Sequence, residues 1–311
     1  MVGLWGTTLT LQKSTVFVQR HIRDLRGGTQ AVLAEASDGH MYVVKFNNNL
    51  QGANLPFNES AGTELYRALN LPTPAWMPVM VTNTFLDKYP ACRVQTSEDS
   101  IRPEAGLCFG SRYLGESGDR MLEILPGGSF KRVRNHANFW LAWLVDICAG
   151  HTDNRQAIFM EDEAGWLNAV FLDHGHMFGG PQGDEQRHFL ASRYLDPRVY
   201  QDLTPQAFNE FRSTIQSLDT EKIWHEIHCA PGEWKTESAL AAVTQCLNHL
   251  SDAALLRNVI DTMLDAQRQV IQRERKSQVA QKRKSAASVL RAAIPRRGLK
   301  PGLGNRDLAC A

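Results

Sequence analysis

Two short polar loops carry the side chains best able to do chemistry in this sequence. The first, HTDNRQ, contains Asp153 and comes soon after the apolar run FWLAWLV. The second, DHGH, contains Asp173 and directly follows the apolar residues VFL. Carboxylate oxygens are hard ligands for Mg²⁺ and can accept a proton, so the two aspartates could hold a metal ion beside a phosphate. The same residues would also fit two ordinary polar turns, and the surrounding elements must discriminate.

The segment between the two aspartates predicts a β-hairpin. The apolar stretches AIFM and WLNAVFL flank the turn sequence EDEAG. A hairpin brings the chain back beside its own starting point. We therefore expect Asp153 and Asp173 to face one another across a single site.

Three features nearer the N-terminus could serve the same site. Gly27 and Gly28 lie in RGGTQAVL between two predicted strands, where missing side chains let backbone amides approach phosphate oxygens. Such glycine pairs are also common in plain hairpin turns. Lys45 ends the apolar strand MYVVK, where a lysine more often faces solvent. The next predicted helix contains Glu59 and Glu64, and either could pair with this lysine.

The order of these elements predicts an α+β fold. VFVQ, TQAVLAEA and MYVVKF read as strands, and the Asp-Gly pair of SDGH is a hairpin signal. A helix is predicted from Asn58, a good N-cap residue, to the prolines of LPTPAWMP. Residues 83–105 are polar and read as an irregular surface insertion, with GLCFGSRYLG as a further strand after them. Helical spacing begins at Asn138 and prevails over residues 205–269.

This ordered set of motifs resembles the protein-kinase-like fold in its HipA-like branch, which is distantly related to phosphoinositide kinases. The resemblance covers roughly residues 15–268. It rests on GGTQAVL as the phosphate loop, YVVKF with its lysine, and NESAGTELYRALNLPTP as the helix that follows. FGSRY corresponds to the junction of the lobes, DICAGHTDNRQAIF to the catalytic loop and FLDHGHMF to the metal loop.

The resemblance implies two lobes, a β-rich nucleotide-binding N-lobe over residues 1–115 and a mostly helical catalytic C-lobe over residues 116–269. Residues 270–311 would form a basic tail, helical as far as Pro295 and disordered after it. From Gln272 onward this tail has eleven Lys and Arg residues against two acidic ones. It could bind a polyanion weakly, although charged termini are most often simply solvated and this one has almost no aromatic residues for stacking on bases.

Carried over position by position, the resemblance implies a nucleotide site. Lys45 would contact the α- and β-phosphates of ATP and would be held by a glutamate of the following helix. Glu59 is preferred because it lies at the predicted start of that helix, and Glu64 stays open as the rival. The implied nucleotide-binding residues are Gly27, Gly28, Thr29, Lys45 and Glu59.

The resemblance also implies roles for the two aspartate loops. Asp153 would accept the proton of the acceptor hydroxyl or orient that hydroxyl, and Asp173 would bind Mg²⁺. Arg155, grouped with Asp153 as a catalytic residue, could neutralise phosphate charge because its guanidinium offers paired donors.

One position departs from the family pattern. Kinases of this fold usually place a metal-binding asparagine five residues after the catalytic aspartate, and this chain has Ile158 there. Gln156 is the first candidate for the second metal ligand, and Asn154 is the other. The shorter loop leaves two outcomes open, a working kinase and a nucleotide-binding protein that transfers no phosphate.

The implied function is transfer of the γ-phosphate of ATP, with Mg²⁺, to a hydroxyl group, that of a protein serine or threonine. A catalytically inactive nucleotide-binding regulator is one alternative. A metal-dependent hydrolase is another, because His and Asp side chains build hydrolytic metal sites. Its ligands would come from His151, Asp153, Asp173, His174 and His176.

The composition excludes several other classes of protein. The chain is 43% hydrophobic and 22% charged, as expected of a globular protein, and its longest apolar run is too short to span a bilayer. No membrane contact is therefore expected. The N-terminus lacks the charged start and apolar core of a secretory signal. Six scattered cysteines with no C-x-x-C pair suit a reducing compartment, so we expect a cytoplasmic protein.

Overall fold

The structure is a computed structural model, which describes residues 15–117, 120–183, 192–200 and 205–293. The chain divides into two compact units, Met1–Leu264 and Asp265–Ala311. The first unit contains every residue of the predicted site. In the second unit, the described part is the continuation of a single helix.

Strands dominate the first part of the chain, as predicted. Five of them close into a barrel in the order β1-β2-β3-β7-β4, in which β1 and β4 pair in parallel and the other neighbours are antiparallel. Within the described residues, the strands are β1 (Val16–Asp24), β2 (Val32–Ala36), β3 (Met41–Lys45), β4 (Trp76–Val81), β5 (Val94–Gln95), β6 (Ser100–Ile101), β7 (Gly106–Arg112), β8 (Arg120–Leu122), β9 (Gln156–Glu161) and β10 (Leu167–Leu172).

The barrel is held together by small and branched apolar side chains on its inward face. Such residues suit a pleated surface that is buried on one side. The turn between β2 and β3 follows the predicted Asp-Gly signal, with Gly39 at φ 79°. The buried core of the barrel includes Val18, Val32, Ala34, Val44, Val79, Val81 and Cys108.

Helices dominate the second part, which also matches the prediction. The α-helices of the described residues are α1 (Leu55–Ala68), α2 (Asn83–Lys88), α3 (Asn138–Cys148), α4 (Pro205–Gln216), α5 (Thr220–His228), α6 (Glu237–Ser251) and α7 (Ala253–Ala293). None of them is long and apolar enough to cross a membrane.

The predicted start of α1 was wrong. The helix begins at Leu55, and Asn58 lies in its first turns rather than at its N-cap. Pro56 explains the difference, because proline is tolerated in the first helical turn, where its missing N–H would have no partner in the helix. The side chain of Asn58 is buried and donates hydrogen bonds to the backbone oxygens of Gly175, Met177 and Gly180, at 2.9–3.1 Å.

The predicted irregular insertion at residues 83–105 was also wrong in part. It contains α2 and the antiparallel pair β5-β6. Thr82 caps α2, since its hydroxyl accepts a hydrogen bond from the Phe85 N–H at 3.1 Å. Phe85, Leu86 and Val94 pack into the barrel core, so the polar residues of this segment surround a buried apolar face.

The hairpin predicted between the two aspartates is confirmed. β9 and β10 pair antiparallel from Leu167 opposite Glu161 to Leu172 opposite Gln156, and β8 adds a third strand to β9. The open end of this hairpin therefore carries the two polar loops side by side.

The predicted basic tail, residues 270–311, is described as far as Ala293. The helix predicted to run toward Pro295 is present as the end of α7, at Ala293. The prediction of disorder after Pro295 falls on residues that the structure does not describe, and polyanion binding stays a prediction.

Candidate active site

A cleft of about 1080 Å³ brings the predicted site residues together. Its walls come from the β1–β2 loop, the end of β3, helix α1, strand β7, residues 153–158 and residues 172–174. The residues predicted for the nucleotide-binding and phosphotransfer site all lie on this wall, which brings together chain segments up to 146 residues apart, and they are Gly27, Gly28, Thr29, Lys45, Glu59, Asp153, Arg155, Gln156 and Asp173.

The centre of the cleft is a cation held between two carboxylates. The Lys45 Nζ donates to Glu59 Oε1 and, at 2.8 Å, to Asp173 Oδ1. Lys45 and Glu59 are both buried, while the Asp173 side chain keeps 19% of its surface exposed. A lysine so placed is a charged group pointing into the cleft from a rigid strand.

For Lys45, Glu59 and Asp173, burial and charge pairing shift the pKa in opposite directions. Burial alone would lower the pKa of Lys45, but the carboxylates of Asp173 and Glu59 outweigh it and raise that pKa. Burial raises the pKa of Glu59, although Lys45 pulls it down. For Asp173, burial also acts upward, but the charge and hydrogen bond of Lys45 leave its pKa lowered. Lys45 and Asp173 therefore carry opposite charges at neutral pH, as a phosphate–metal site requires.

The choice left open between Glu59 and Glu64 is decided by the position of each on α1. Glu59 faces Lys45, whereas Glu64 lies more than one turn further along and accepts a hydrogen bond from the Trp76 indole N–H at 2.7 Å. Glu64 also lies 3.6 Å from the Arg67 guanidinium. The structure thus pairs Lys45 with Glu59.

Helix α1 approaches the Asp173 loop closely because two positions have no side chain. A Cβ added at Gly175 would lie 2.9 Å from Glu59 Oε1, and one added at Gly62 would lie 2.5 Å from the Cβ of His174. The second carboxylate oxygen of Glu59 accepts the His174 backbone N–H at 3.1 Å. Glu59 therefore joins Lys45 to the backbone of the Asp173 loop, and the two glycines make this close approach possible.

Asp173 itself has an uncommon backbone conformation, with φ at 61°. Non-glycine residues in this left-handed region tend to occur where the surroundings fix them, often at functional sites. The carbonyl oxygen of Asp173 accepts a hydrogen bond from Arg155 Nη1 at 3.2 Å and lies 3.5 Å from His151 Nε2. These contacts aim the Asp173 carboxylate into the cleft.

The predicted role of Arg155 in neutralising phosphate does not fit its placement. Arg155 has only 2% of its surface exposed, and its Nε and Nη2 donate to the two carboxylate oxygens of Asp146 at 2.8 and 2.6 Å. Its Nη1 donates to the Leu172 carbonyl oxygen at 2.7 Å as well as to Asp173. Arg155 is therefore a positioning residue that links α3 to the Asp173 loop. The sequence predicts phosphate as the partner of Arg155, whereas Asp146, buried in the apolar helix α3, accepts from its Nε and Nη2.

Replacing Arg155 by methionine is expected to destabilise the fold strongly. The substitution leaves the fully buried Asp146 carboxylate without its counter-charge, which typically costs about 3–5 kcal/mol. Urea unfolding followed by circular dichroism measures the change in the free energy of unfolding.

The double variant Arg155→Met with Asp146→Leu is the matched control, because it removes both charges and should recover much of the lost stability. Unchanged stability in Arg155→Met together with lost nucleotide binding would instead support the phosphate-neutralising role predicted from the sequence.

The two carboxylates of the opening prediction do lie at the same site. Asp153 lines the cleft, and its Oδ1 accepts the backbone N–H of Asn154 at 2.7 Å. Gln156 is exposed and donates from Nε2 to Asp173 Oδ2 at 2.8 Å. The position usually held by a metal-binding asparagine, Ile158, lies inside β9 opposite Val170. Gln156 therefore lies beside Asp173, and its side chain has an amide oxygen, a hard donor that Ile158 lacks.

The glycine loop forms another part of the cleft wall. Gly27, Gly28 and Thr29 connect β1 to β2, and Gly27 has φ at 135°, a conformation that favours glycine. The loop is anchored by a hydrogen bond that the Thr29 carbonyl oxygen accepts from Asn49 Nδ2. Such a loop leaves backbone amides available to phosphate oxygens.

The histidines near the site are structural in their contacts. Burial lowers the pKa of His151 to about 4 and that of His174 well below its usual range, so both rings are neutral at pH 7. His174 contacts Thr73 and Arg155 through its two ring nitrogens, and His151 contacts the carbonyl oxygen of Asp153 at 2.6 Å. Their ring nitrogens already have partners within the protein, unlike those of histidines open to a metal.

The metal-hydrolase alternative also lacks a converging set of ligands. Within the part of the chain that the structure describes, one group of at least three His, Cys, Asp or Glu side chains brings its ligand atoms together. It consists of His21, Asp24 and Cys92. The set proposed for a hydrolase, at residues 151–176, does not converge in this way.

Two residues important to the site were missed from the sequence. Asn58 ties α1 to the segment after Asp173, and Asp146 anchors Arg155. A usable signal existed for Asp146, because a single acid within FWLAWLVDIC has to be buried with a counter-charge. The same argument about a buried polar group applies to Asn58, which the sequence also allows as an N-cap residue.

No protein-family model and no curated protein matches this chain. Among solved structures, the chain is similar to the Golgi casein kinase, with 15% identity, a TM-score of 0.46, and coverage of 79% of this chain and 73% of that one. It is also similar to the Golgi casein kinase with Mn/ADP bound, with 15% identity, a TM-score of 0.43, and coverage of 78% and 72%. Likeness at this level carries no conclusion about activity, which has to be derived from the side chains of the cleft.

Proposed function

We propose that this chain is an ATP-dependent phosphotransferase with a two-lobed, kinase-like architecture of the HipA-like type. The observation that carries the proposal is the contact of Lys45 with both Glu59 and Asp173 on the wall of a cleft that also contains the glycine loop and Asp153. A buried lysine, a helical glutamate and an aspartate in this arrangement can bind the phosphates of a nucleotide and a divalent metal together.

Each group of the trio has a defined task in this proposal. Lys45 presents its charge to the α- and β-phosphates, and Glu59 keeps the lysine from turning away. Asp173 and Gln156 would hold Mg²⁺, since both offer oxygen donors and are neighbours, with Gln156 Nε2 2.8 Å from Asp173 Oδ2. The metal ion supplies neutralisation of the charge that develops on the transferring phosphoryl group.

Asp153 is the group that would act on the acceptor. It lies on the cleft wall, and the Asn154 N–H fixes one of its carboxylate oxygens at 2.7 Å. The Asp153 carboxylate can accept the proton of an incoming hydroxyl or orient that hydroxyl toward the γ-phosphate.

A polypeptide serine or threonine is the acceptor that we propose. The side chains of Ile124 and Leu195 line the cleft and are 80% and 72% exposed, which offers apolar contacts to an extended peptide.

We also place the protein in a reducing compartment, the cytoplasm. In support, the five cysteines among the described residues, Cys92, Cys108, Cys148, Cys229 and Cys246, are all unpaired.

The experiment that tests transfer uses ATP labelled in the γ-phosphate. The protein is incubated with labelled ATP and Mg²⁺ alone and with a mixture of serine- and threonine-containing peptides. We expect label in a product that survives acid but is lost in alkali, as phosphoserine and phosphothreonine are. Two results together would contradict phosphotransfer: no hydroxyl becomes labelled, and ADP forms no faster than by spontaneous hydrolysis of ATP.

A nucleotide-binding regulator without transfer activity is the second candidate. The observation that favours it is Ile158 at the position where kinases of this fold usually carry a metal-binding asparagine. Saturable Mg²⁺–ATP binding without ADP formation, for every acceptor supplied, is the result that would identify it.

A further inference from the structure

Three metal-binding side chains that the proposed function does not use converge at the edge of the cleft, where Asp24 is one of the lining residues. The ligand atoms of His21, Asp24 and Cys92 all lie within 4.8 Å of one another. His21 Nε2 and Asp24 Oδ1 are 2.9 Å apart. The cluster therefore offers one nitrogen, one oxygen and one sulfur donor to a common point.

A β-bulge in β1 produces this convergence. Along a regular strand, residues three apart point to opposite faces of the sheet. Here His21 pairs with Ala34 while Arg23 pairs with Leu33, so β1 has one extra residue, Ile22, against β2. The extra residue turns Asp24 to the same side as His21. Bulges are features that re-aim side chains, and this one builds the cluster.

Cys92 reaches the cluster from the turn after α2 and is held firmly there. Its backbone N–H donates to the Tyr89 carbonyl oxygen at 3.0 Å, and only 2% of its surface is exposed. The Tyr89 ring lies against His21, with the ring centroids 6.0 Å apart. The thiol and the imidazole are thus fixed by packing, while the Asp24 side chain, 66% exposed, leaves an approach open to solvent.

We propose that His21, Asp24 and Cys92 form a zinc site with water as the fourth ligand. Zinc takes nitrogen, sulfur and carboxylate donors at about 2.0–2.3 Å in a tetrahedron, which separates the donors by roughly 3.3–3.8 Å. The three atoms are already within about an ångström of that spacing. On binding, the Cys92 thiol releases its proton to solvent and coordinates as a thiolate. Mg²⁺ prefers oxygen ligands and would not compete for this sulfur.

The position of the site gives it a consequence for the cleft. Asp24 is the last residue of β1, and only Leu25 and Arg26 separate it from the glycine loop on the cleft wall. Cys92 lies just before β5, to which the loop is already joined by hydrogen bonds of Gln30 with Gln95, at 2.6 and 2.8 Å. A bound zinc ion would join the root of the glycine loop to this segment and restrain the loop.

Cobalt substitution tests the proposal directly, because a cobalt–thiolate bond gives a charge-transfer band in the near ultraviolet that oxygen ligands do not give. Titration of the whole, metal-free protein with Co²⁺ should produce this band with one ion per chain, and Zn²⁺ should abolish it. Cys92→Ser should lose the band, whereas Cys246→Ser, which alters another buried cysteine, should keep it.

A second variant protects the test from a folding defect. Asp24→Asn alters an exposed side chain, so it should fold and should weaken Co²⁺ binding at least about tenfold. The band should persist in Asp173→Ala, which separates this site from the proposed Mg²⁺ site whether or not the protein is a kinase. Absence of the band in the wild type, or its retention in Cys92→Ser, would overturn the proposal.

Discussion

Replacing Asp173 by alanine should strongly weaken Mg²⁺-dependent nucleotide binding. The substitution removes the carboxylate proposed to hold the metal and takes one of the two partners of Lys45 away. Truncating one member of a buried, hydrogen-bonded charge pair costs about 2–5 kcal/mol in binding. The dissociation constant of Mg²⁺–ATP should therefore rise by about 30-fold or more.

Isothermal titration of the variant with ATP, in Mg²⁺ and in chelator, measures this change. The matched control is Asp87→Asn, which alters a carboxylate that is 64% exposed and paired with Arg102 on the protein surface. The control should bind as the wild type does. If Asp173→Ala bound Mg²⁺–ATP normally while Asp87→Asn did too, the metal would have to be held elsewhere.

Replacing Asp153 by asparagine should affect phosphate transfer and spare nucleotide binding. Asparagine has nearly the same shape, but its amide cannot accept the proton of the acceptor hydroxyl. General-base catalysis contributes about 10²- to 10⁴-fold to rate, so kcat should fall by that factor. The dissociation constant of Mg²⁺–ATP should stay unchanged, because no proposed phosphate or metal contact involves this side chain.

The measurement compares ADP formation and Mg²⁺–ATP affinity in the same preparation of Asp153→Asn. Asn154→Ala is a useful control, because the Asp153 carboxylate accepts from the backbone N–H of Asn154, which alanine retains. It should keep transfer to within severalfold. A variant Asp153→Asn that transfers phosphate at the wild-type rate would remove the catalytic role from this loop.

The coarse fold and the position of the site could be predicted because short, local sequence patterns encode them. The strand alternation around Lys45, the helix with Glu59, and the hairpin between the aspartates are each encoded within a few residues. A hairpin has few ways to close, so the proximity of Asp153 and Asp173 followed from the turn between them.

The contacts that fix the site geometry could not be predicted because they join distant segments. Arg155 reads as a phosphate ligand in the sequence, and only the packing of α3 shows that Asp146 takes its donors. Asn58 reads as a helix cap, and only the approach of the segment after Asp173 gives it three carbonyl partners. In both cases a buried polar group is satisfied by tertiary contacts, which no local propensity encodes.

The zinc cluster was missed for a related reason. His21 and Asp24 are three residues apart in a strand, a spacing that places side chains on opposite faces unless a bulge intervenes. The bulge depends on the pairing of β1 with β2, so the strand sequence alone does not reveal it.

The most direct test of the nucleotide site is a calorimetric titration of the wild-type protein with ATP, first with Mg²⁺ and then with a chelator. The arrangement of Lys45, Glu59 and Asp173 predicts one saturable site per chain, with binding that is strongly weakened when Mg²⁺ is removed. A folded protein that takes up no ATP in either condition would contradict the central claim that this cleft is a metal–nucleotide site.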